Sequence, residues 1–247
     1  MEINLFAYMA IVTFLSFIVK GMSGFGNSMF FGTLLGFKVD NISITPMDLM
    51  LSFPSNVIIM WKERKSIDPK VCVPLTILVI LGSIPGVLWL KTGDAVTVKI
   101  IFGLLVIAIG IEMFFRERIT KPQKSSKLLL GIIGLVAGFC CGMYGIGAML
   151  AAYVGRTTKN TQEFKGNICV VFIADNIFRI IFYIYIGIIT FDIFKTSLML
   201  IPFMLLGLVF GMKLSTVIKE KTTKNIVIIL LICSGLSLVL TNIAGLI

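Results

Sequence analysis

The stretch Gly21-Met22-Ser23-Gly24-Phe25-Gly26 interrupts a long apolar run, and Gly142-Met143-Tyr144-Gly145-Ile146-Gly147 repeats its glycine spacing 121 residues later. Three glycines in six residues weaken a helix, because glycine has the largest backbone entropy and readily adopts φ > 0. In lipid, an unwound segment persists only where protein or a watery cavity satisfies its backbone. Paired breaks in corresponding positions of two halves therefore predict a binding site where the two breaks meet.

The composition is that of a polytopic membrane protein. Hydrophobic residues make up 57% of the 247-residue chain, charged residues only 14%, and the mean hydropathy is +1.03. A soluble domain is about a quarter charged. The net charge of +10 lies mostly in short loops, which is typical of membrane proteins and predicts a lipid bilayer, not nucleic acid, as the partner.

Several catalytic chemistries are disfavoured by what the chain lacks. It contains no histidine, which removes the commonest general base and metal ligand. Its five cysteines lie in apolar stretches without CxxC spacing. The sequence therefore predicts no metal site, no cofactor and no enzymatic activity.

Eight apolar segments are predicted, and two of them are too long for one span. The segments are 3–37, 45–61, 71–90, 95–115, 128–155, 166–187, 193–212 and 225–246. As continuous helices, the first and fifth would run roughly 50 and 42 Å, beyond a core of about 30 Å. Each is therefore predicted as two half-helices flanking a break: 3–19 with 28–37, and 128–140 with 146–155.

The two halves also match away from the breaks. Gly82 and Gly86 correspond to Gly207 and Gly211 at an offset of 125, and each pair has the small-xxx-small spacing of closely packed helices. The predicted fold is an all-α integral membrane protein of two four-segment repeats. Repeat 1 covers residues 1–115, a basic cytoplasmic linker 116–127, and repeat 2 residues 128–247.

The positive charges favour one topology over another. If all eight segments cross fully, each face carries 10 Lys and Arg residues. If segments one and five are re-entrant hairpins, one face carries 16 and the other 4, a bias of the kind that sets orientation. The hairpin interpretation makes the repeats inverted, the basic loops cytoplasmic and both termini external.

An anion site is expected at the breaks. The half-helices that begin near Ser28 and Ile146 present N-termini, whose free N–H groups and positive dipole end attract anions. Lys20 adds a full charge at membrane depth, although it could instead snorkel to an interface. The other substrate-binding candidates at the two breaks are Gly21, Ser23, Gly24, Gly26, Asn27, Gly142, Tyr144, Gly145 and Gly147.

Segments two and six supply further polar candidates. Arg179 follows Asp175 by one helical turn, so the two form either a purely structural ion pair or a substrate-facing arginine held by its carboxylate. Asn176 and its counterpart Asn56 are donors for an anion's shell. Asp48, near the start of segment two, is either a coupling carboxylate or an interfacial acid close to a helix N-terminus.

These features resemble the sulfite exporter TauE/SafE family. The resemblance covers essentially the whole chain and is most specific at 21–28 and 142–149. The family motif commonly runs Gly-x-Gly-Gly-Gly, whereas this chain has Gly24-Phe25-Gly26-Asn27-Ser28 and Gly145-Ile146-Gly147-Ala148-Met149. The resemblance implies movement of sulfite, sulfonates or related organosulfur anions across the cell membrane.

The leading hypothesis is a secondary transporter of small anions that works by alternating access around the breaks. The alternatives are an anion channel or facilitator, which would need no coupling, and a non-transporting receptor or assembly subunit, which large soluble domains would favour. A homo-oligomer is compatible with the sequence. Substrate identity, direction of transport and coupling ion do not follow from the residues alone.

Overall fold

The structure is a computed structural model that describes residues 3–116, 127–147 and 160–217, with single positions at 150, 151, 154, 158, 228, 229, 232, 235, 236, 239 and 240. The helices are α1 (Ile3–Ser23), α2 (Asn27–Leu35), α3 (Asn41–Lys62), α4 (Pro69–Thr92), α5 (Ala95–Arg116), α6 (Lys127–Tyr144), α7 (Thr161–Tyr185) and α8 (Phe191–Val217). Residues 117–126 of the predicted linker and most of segment eight lie outside the described residues.

The all-helical membrane class is confirmed within the described part of the chain. Every element there is helical. Five of these helices, α1, α3, α4, α7 and α8, are long and apolar enough to cross a membrane. The protein is therefore a multi-pass membrane protein.

Both predicted breaks exist, but the helices before them are longer than expected. The helix α1 continues through Gly21-Met22-Ser23 and α6 continues to Tyr144, so only the last residues of each motif are unwound. Gly24, Gly26 and Gly145 have φ of +86°, +87° and +71°, a region that favours glycine. The predicted ends at 19 and 140 were wrong because the first glycine of each motif packs inside a helix.

The first segment folds back on itself as a hairpin. The Tyr8 hydroxyl donates a hydrogen bond to the Leu34 carbonyl oxygen. The Lys38 Nζ atom lies 4.8 Å from the centre of the Tyr8 ring. The end of α2 is thus beside the start of α1, as the hairpin interpretation predicts. The return direction of the fifth segment lies outside the described residues.

Contacts between loops group them at two ends of the molecule. The Asp68 backbone N–H donates to Asn167 Oδ1 at 2.7 Å, which brings 62–70 beside 160–167. Lys91 Nζ donates to the Ile186 carbonyl at 2.8 Å, which brings 91 beside 186. Full crossing of all eight segments would separate both pairs, so the contacts favour the hairpin grouping. Which end is cytoplasmic, and whether the repeats are inverted, stay predictions.

Equivalent residues make equivalent packing contacts in the two halves. The helix α1 packs along α8, and α6 packs along α4. At each interface, a Cβ atom added to a glycine would meet a backbone carbonyl oxygen of the facing helix. The predicted close packing is therefore confirmed. The pairs are Gly207 with Phe14, Gly211 with Ile18, Gly82 with Leu135, and Gly86 with Phe139.

The helices α3 and α7 pack against each other at the centre of the fold. The residues Asp48, Ser52 and Asn56 are spaced by one helical turn along α3, so they form a polar stripe on one face. The main apolar core lies around this contact and includes Phe17, Phe31, Leu51, Leu75 and Leu208. The polar stripe is therefore enclosed by apolar packing.

Candidate functional site

A small polar cavity lies where the two breaks meet α3 and α7. Its volume is about 20 Å³, enough for a water-sized guest. It is lined by Lys20, Gly26, Asn27, Ser28, Met29, Asp48, Ser52, Asn56, Cys141, Gly145, Ile146, Gly147, Phe172, Asn176 and Arg179.

Most of the predicted site residues come together in this wall. The structure places nine of them on the cavity: Lys20, Gly26, Asn27, Asp48, Asn56, Gly145, Gly147, Asn176 and Arg179. Six predicted residues do not line it: Gly21, Ser23, Gly24, Gly142, Tyr144 and Asp175.

The residues that miss the cavity have structural contacts instead. A Cβ atom on Gly21 would meet the Leu208 carbonyl oxygen, and one on Gly142 would meet the Ser83 carbonyl oxygen. The Ser23 hydroxyl donates to backbone carbonyl oxygens at 2.8 and 2.7 Å, and Tyr144 is buried in an apolar cluster. These residues shape the breaks, and their direct contact with a substrate is not supported by this arrangement.

The N-terminus of α2 faces a carboxylate of the protein itself. Asn27 Nδ2 donates to Asp48 Oδ1 and to Ser52 Oγ, both at 2.7 Å. The Ser28 hydroxyl donates to Asp48 Oδ2 at 2.5 Å. Asp48 is 3% exposed, so it is part of the cavity wall and not a surface acid.

Lys20 is a buried cation that forms no direct ion pair among the described residues, although it interacts electrostatically with the Asp48 carboxylate of the same cavity. Its side chain is 1% exposed, so it does not snorkel to a surface. Among the described residues, no side-chain or backbone acceptor lies within hydrogen-bond or ion-pair distance of its ammonium group. Its nearest stabilising contact is the Phe17 ring, 5.6 Å from Nζ to the ring centre. A buried charge of this kind costs free energy unless an anion compensates it.

Arg179 forms the predicted ion pair and two further hydrogen bonds. Its Nε atom donates to Asp175 Oδ2 at 2.9 Å. Its Nη1 and Nη2 atoms donate to the Cys141 carbonyl at 2.7 Å and to Asn176 Oδ1 at 3.1 Å. Asp175 in turn accepts from Ser83 at 2.6 Å. Arg179 therefore both faces the cavity and holds the second break in place.

Side chains from α7 donate hydrogen bonds to backbone carbonyl groups beside both helix breaks, including the Cys141 carbonyl, which also accepts from the Gly145 N–H. The last carbonyls of a helix lack intrahelical partners. At the second break, Cys141 accepts from Arg179, and Gly142 accepts from the Tyr183 hydroxyl at 2.8 Å. At the first break, Gly21, the counterpart of Gly142, accepts from Lys165 Nζ at 3.4 Å. The helix α7 thus supports both breaks.

Two buried amide groups in the wall have unused hydrogen-bonding capacity. Asn176 Nδ2 and Asn56 Oδ1 are buried and without a partner among the described residues. The bond to Arg179 fixes which end of the Asn176 amide is free. An unmade hydrogen bond of a buried group costs about 1–3 kcal/mol. These groups are available to a guest in the cavity.

Several residues of the cavity wall were not predicted from the sequence. Ser52 lies midway between Asp48 and Asn56, so their one-turn spacing on α3 would have identified it. Cys141 was not among the predicted site residues, yet it contributes to the cavity wall. Met29, Ile146 and Phe172 carry no sequence signal that separates them from ordinary core residues.

A comparison with protein families identifies the class. The family model described as sulfite exporter TauE/SafE matches residues 9–238. The chain belongs to this family, which is a family of membrane transporters of sulfur anions. Neither the comparison with curated proteins nor that with solved structures gives a significant match.

Proposed function

We propose that this protein is a secondary carrier for a small sulfur oxyanion, sulfite or an organic sulfonate, which binds in the cavity between the two breaks. Lys20 supplies the main positive charge that attracts the anion. Arg179 supplies a second positive charge, which its ion pair with Asp175 partly neutralises. Asn176 supplies a hydrogen-bond donor through its free Nδ2 group, and the amide of Asn56 lies in the same wall.

The single observation that carries this proposal is the burial of Lys20 in the cavity wall without a direct ion pair. Its side chain lines the cavity at 1% exposure and forms no salt bridge among the described residues, while the Asp48 carboxylate of the same wall is held by Asn27 and Ser28. A buried cation that lacks a direct ion pair is a favourable partner for an anion in the cavity. The orphan Nδ2 group of Asn176 points to the same kind of guest, because an oxyanion accepts several hydrogen bonds.

The small size of the cavity supports alternating access and not an open channel. A cavity of about 20 Å³ gives no continuous path for an anion. Binding therefore requires the helices around the breaks to move apart on one side at a time. In the proposed topology the two repeats are inverted, the basic loops are cytoplasmic and both termini are external.

Counterflow in proteoliposomes tests the proposal. Vesicles loaded with unlabelled sulfite or methanesulfonate should accumulate the labelled form of the same anion transiently, because a carrier exchanges substrate faster than it returns empty. Acetate serves as the non-sulfur control, and vesicles without protein give the background. Flux without acceleration by internal substrate would identify a channel, and no flux of either sulfur anion would overturn the proposal.

A further inference from the structure

The charges in the cavity wall balance only while the cavity holds no ionic guest. Asp175 and Arg179 form one ion pair at 2.9 Å. Lys20 and Asp48 are the remaining charged residues of the wall, one of each sign. A buried, poorly hydrated site strongly disfavours a net charge. The unoccupied cavity is therefore neutral when Asp48 is ionised.

A monovalent anion would upset this balance. It would add a second negative charge beside Asp48 in a space sized for one water molecule. Like charges at such short range repel strongly where water is excluded. A proton on Asp48 removes the repulsion and restores neutrality, with Lys20 then paired to the bound anion.

Protonation of Asp48 would also reverse the direction of its hydrogen bond with Ser28. The two oxygens are 2.5 Å apart, and a hydroxyl group can donate one hydrogen bond while accepting others. When Asp48 is ionised, the Ser28 hydroxyl hydrogen is directed at the carboxylate. When Asp48 is protonated, its own O–H donates to Ser28 Oγ, and the Ser28 hydrogen is free to point into the cavity. Protonation thus converts Ser28 into a donor for the anion.

The other ionisable groups around the cavity have fixed roles. Asp175 accepts from both Arg179 and Ser83 through its two oxygens, and it does not line the cavity. The Cys141 thiol donates to the Ile146 carbonyl, and the Tyr183 hydroxyl donates to the Gly142 carbonyl. Lys20 on α1 lines the cavity itself, the buried Cys169 lies on α7, and Lys165 on α7 donates to the Gly21 carbonyl at the first break. The polar residues that the helix α2 contributes to the wall, Asn27 and Ser28, do not titrate.

We propose that Asp48 is a proton-binding site of this protein, and that one proton enters the cavity with each monovalent anion. The inference rests on the proposed anion-carrier function and adds its coupling ion. The ionised Asp48 balances Lys20 in the empty carrier, and the bound anion balances Lys20 in the loaded one. Proton and anion therefore cross in the same direction.

Methanesulfonate is the sharpest probe of this proposal. It is the anion of a strong acid, so any proton that moves with it is carried by the protein. Sulfite is run in parallel at a pH where it is fully ionised. Labelled anion and an entrapped pH-sensitive dye report the two fluxes in the same proteoliposomes. One proton should move with each methanesulfonate ion, and anion affinity should fall by up to about tenfold per pH unit once Asp48 ionises.

Two variants separate coupling from transport. Any anion counterflow that remains in Asp48→Asn should carry no protons, and its affinity should no longer depend on pH. Ser28→Ala should keep the proton flux coupled but weaken anion binding severalfold. Asp94→Asn, at an exposed acid between α4 and α5, is the matched control and should behave like the wild type.

The possible outcomes of these experiments distinguish failure of the coupling proposal from failure of the carrier proposal. Anion counterflow in the wild type without accompanying protons overturns the coupling proposal and leaves the carrier proposal standing. Proton movement that persists in Asp48→Asn also overturns it, because the proton must then bind elsewhere. Absence of anion flux in the wild type overturns the carrier proposal itself. The proton-to-anion ratio of the wild type tests the coupling proposal even if a variant fails to insert into the membrane.

Discussion

Gly145 and Ser28 belong to different halves of the chain, yet a Cβ atom on Gly145 would lie only 3.2 Å from the Ser28 hydroxyl oxygen. The same atom would lie 3.2 Å from Asp48 Oδ2. The second break thus rests directly against the hydrogen bond that links the start of α2 to α3. The two breaks meet at this point, which explains why the polar groups of both halves share one cavity.

Gly145→Ala should abolish most transport while leaving the protein inserted. The new Cβ would crowd the contact between Ser28 and Asp48, and the residue has φ of +71°, which strains any other L-residue. Counterflow of methanesulfonate or sulfite, normalised to inserted protein, measures the effect.

Gly187→Ala is the matched control for that substitution. Gly187 has φ of +76°, but a Cβ there would meet no atom within 4 Å. Strain alone should cost roughly 1–2 kcal/mol of stability without loss of flux. Equal loss of flux in both variants would show that the Gly145 contact plays no specific part.

The small residues between the helices should matter for stability more than for binding. Gly86→Ala and Gly211→Ala each drive a Cβ into a facing carbonyl group, of Phe139 and Ile18 respectively. Each should lower stability by about 1–3 kcal/mol and to a similar extent, since the contacts are equivalent. Thermal unfolding in detergent is the measurement.

Gly131→Ala is the control for replacing a helix glycine that has no close neighbour. Gly131 lies within α6 and a Cβ there would meet nothing within 4 Å. Its replacement should be neutral or stabilising by up to about 1 kcal/mol, because alanine favours helix. A destabilisation as large as that of Gly86→Ala would contradict the close-packing account.

Arg179→Gln should destabilise the protein strongly, by roughly 3–5 kcal/mol, because it leaves Asp175 buried and unpaired. Adding Asp175→Asn should restore much of that stability. Transport should stay lost in the double variant, because the Cys141 carbonyl loses its charged donor and the cavity loses a positive charge. Near-normal counterflow in the double variant would reduce Arg179 to a replaceable structural pair.

The predicted topology can be checked by thiol labelling of intact cells. In a background without native cysteines, Lys65→Cys and Thr216→Cys should be protected from an impermeant reagent, since both ends are predicted to be cytoplasmic. Lys38→Cys should be labelled. All three positions are exposed in the structure. Labelling of only one of the first two would contradict the inverted arrangement.

Sequence periodicity and glycine spacing predicted much of the fold. Apolar length located the helices within a few residues, and the offsets of 121 and 125 identified which glycines of the two halves are equivalent. The ends of the helices at the breaks were wrong. Gly21 and Gly142 were expected to unwind, but each packs against backbone of a facing helix, and tertiary packing overrides the low helix propensity of glycine.

The candidate site was predicted in outline only. The charge of Lys20 and the spacing of Asp175 and Arg179 pointed to two helices, α1 and α7, that the structure places at the cavity. The partner of Asp48 could not be predicted, because Asn27 and Ser28 reach it only after the hairpin brings α2 beside α3. Phe172 likewise reaches the cavity only through tertiary packing, and no motif in the sequence identifies it as a residue of the wall.

The central claim is that Lys20 is a buried cation whose natural partner is the transported anion. Calorimetric titration of the purified protein with sulfite and methanesulfonate tests it most directly. Lys20→Gln should weaken binding by on the order of 2 kcal/mol, or roughly 30-fold. Lys20→Arg should retain part of the affinity, and Lys195→Gln, at an exposed position, should not change it. Wild-type affinity in Lys20→Gln, with the protein folded, would contradict the account.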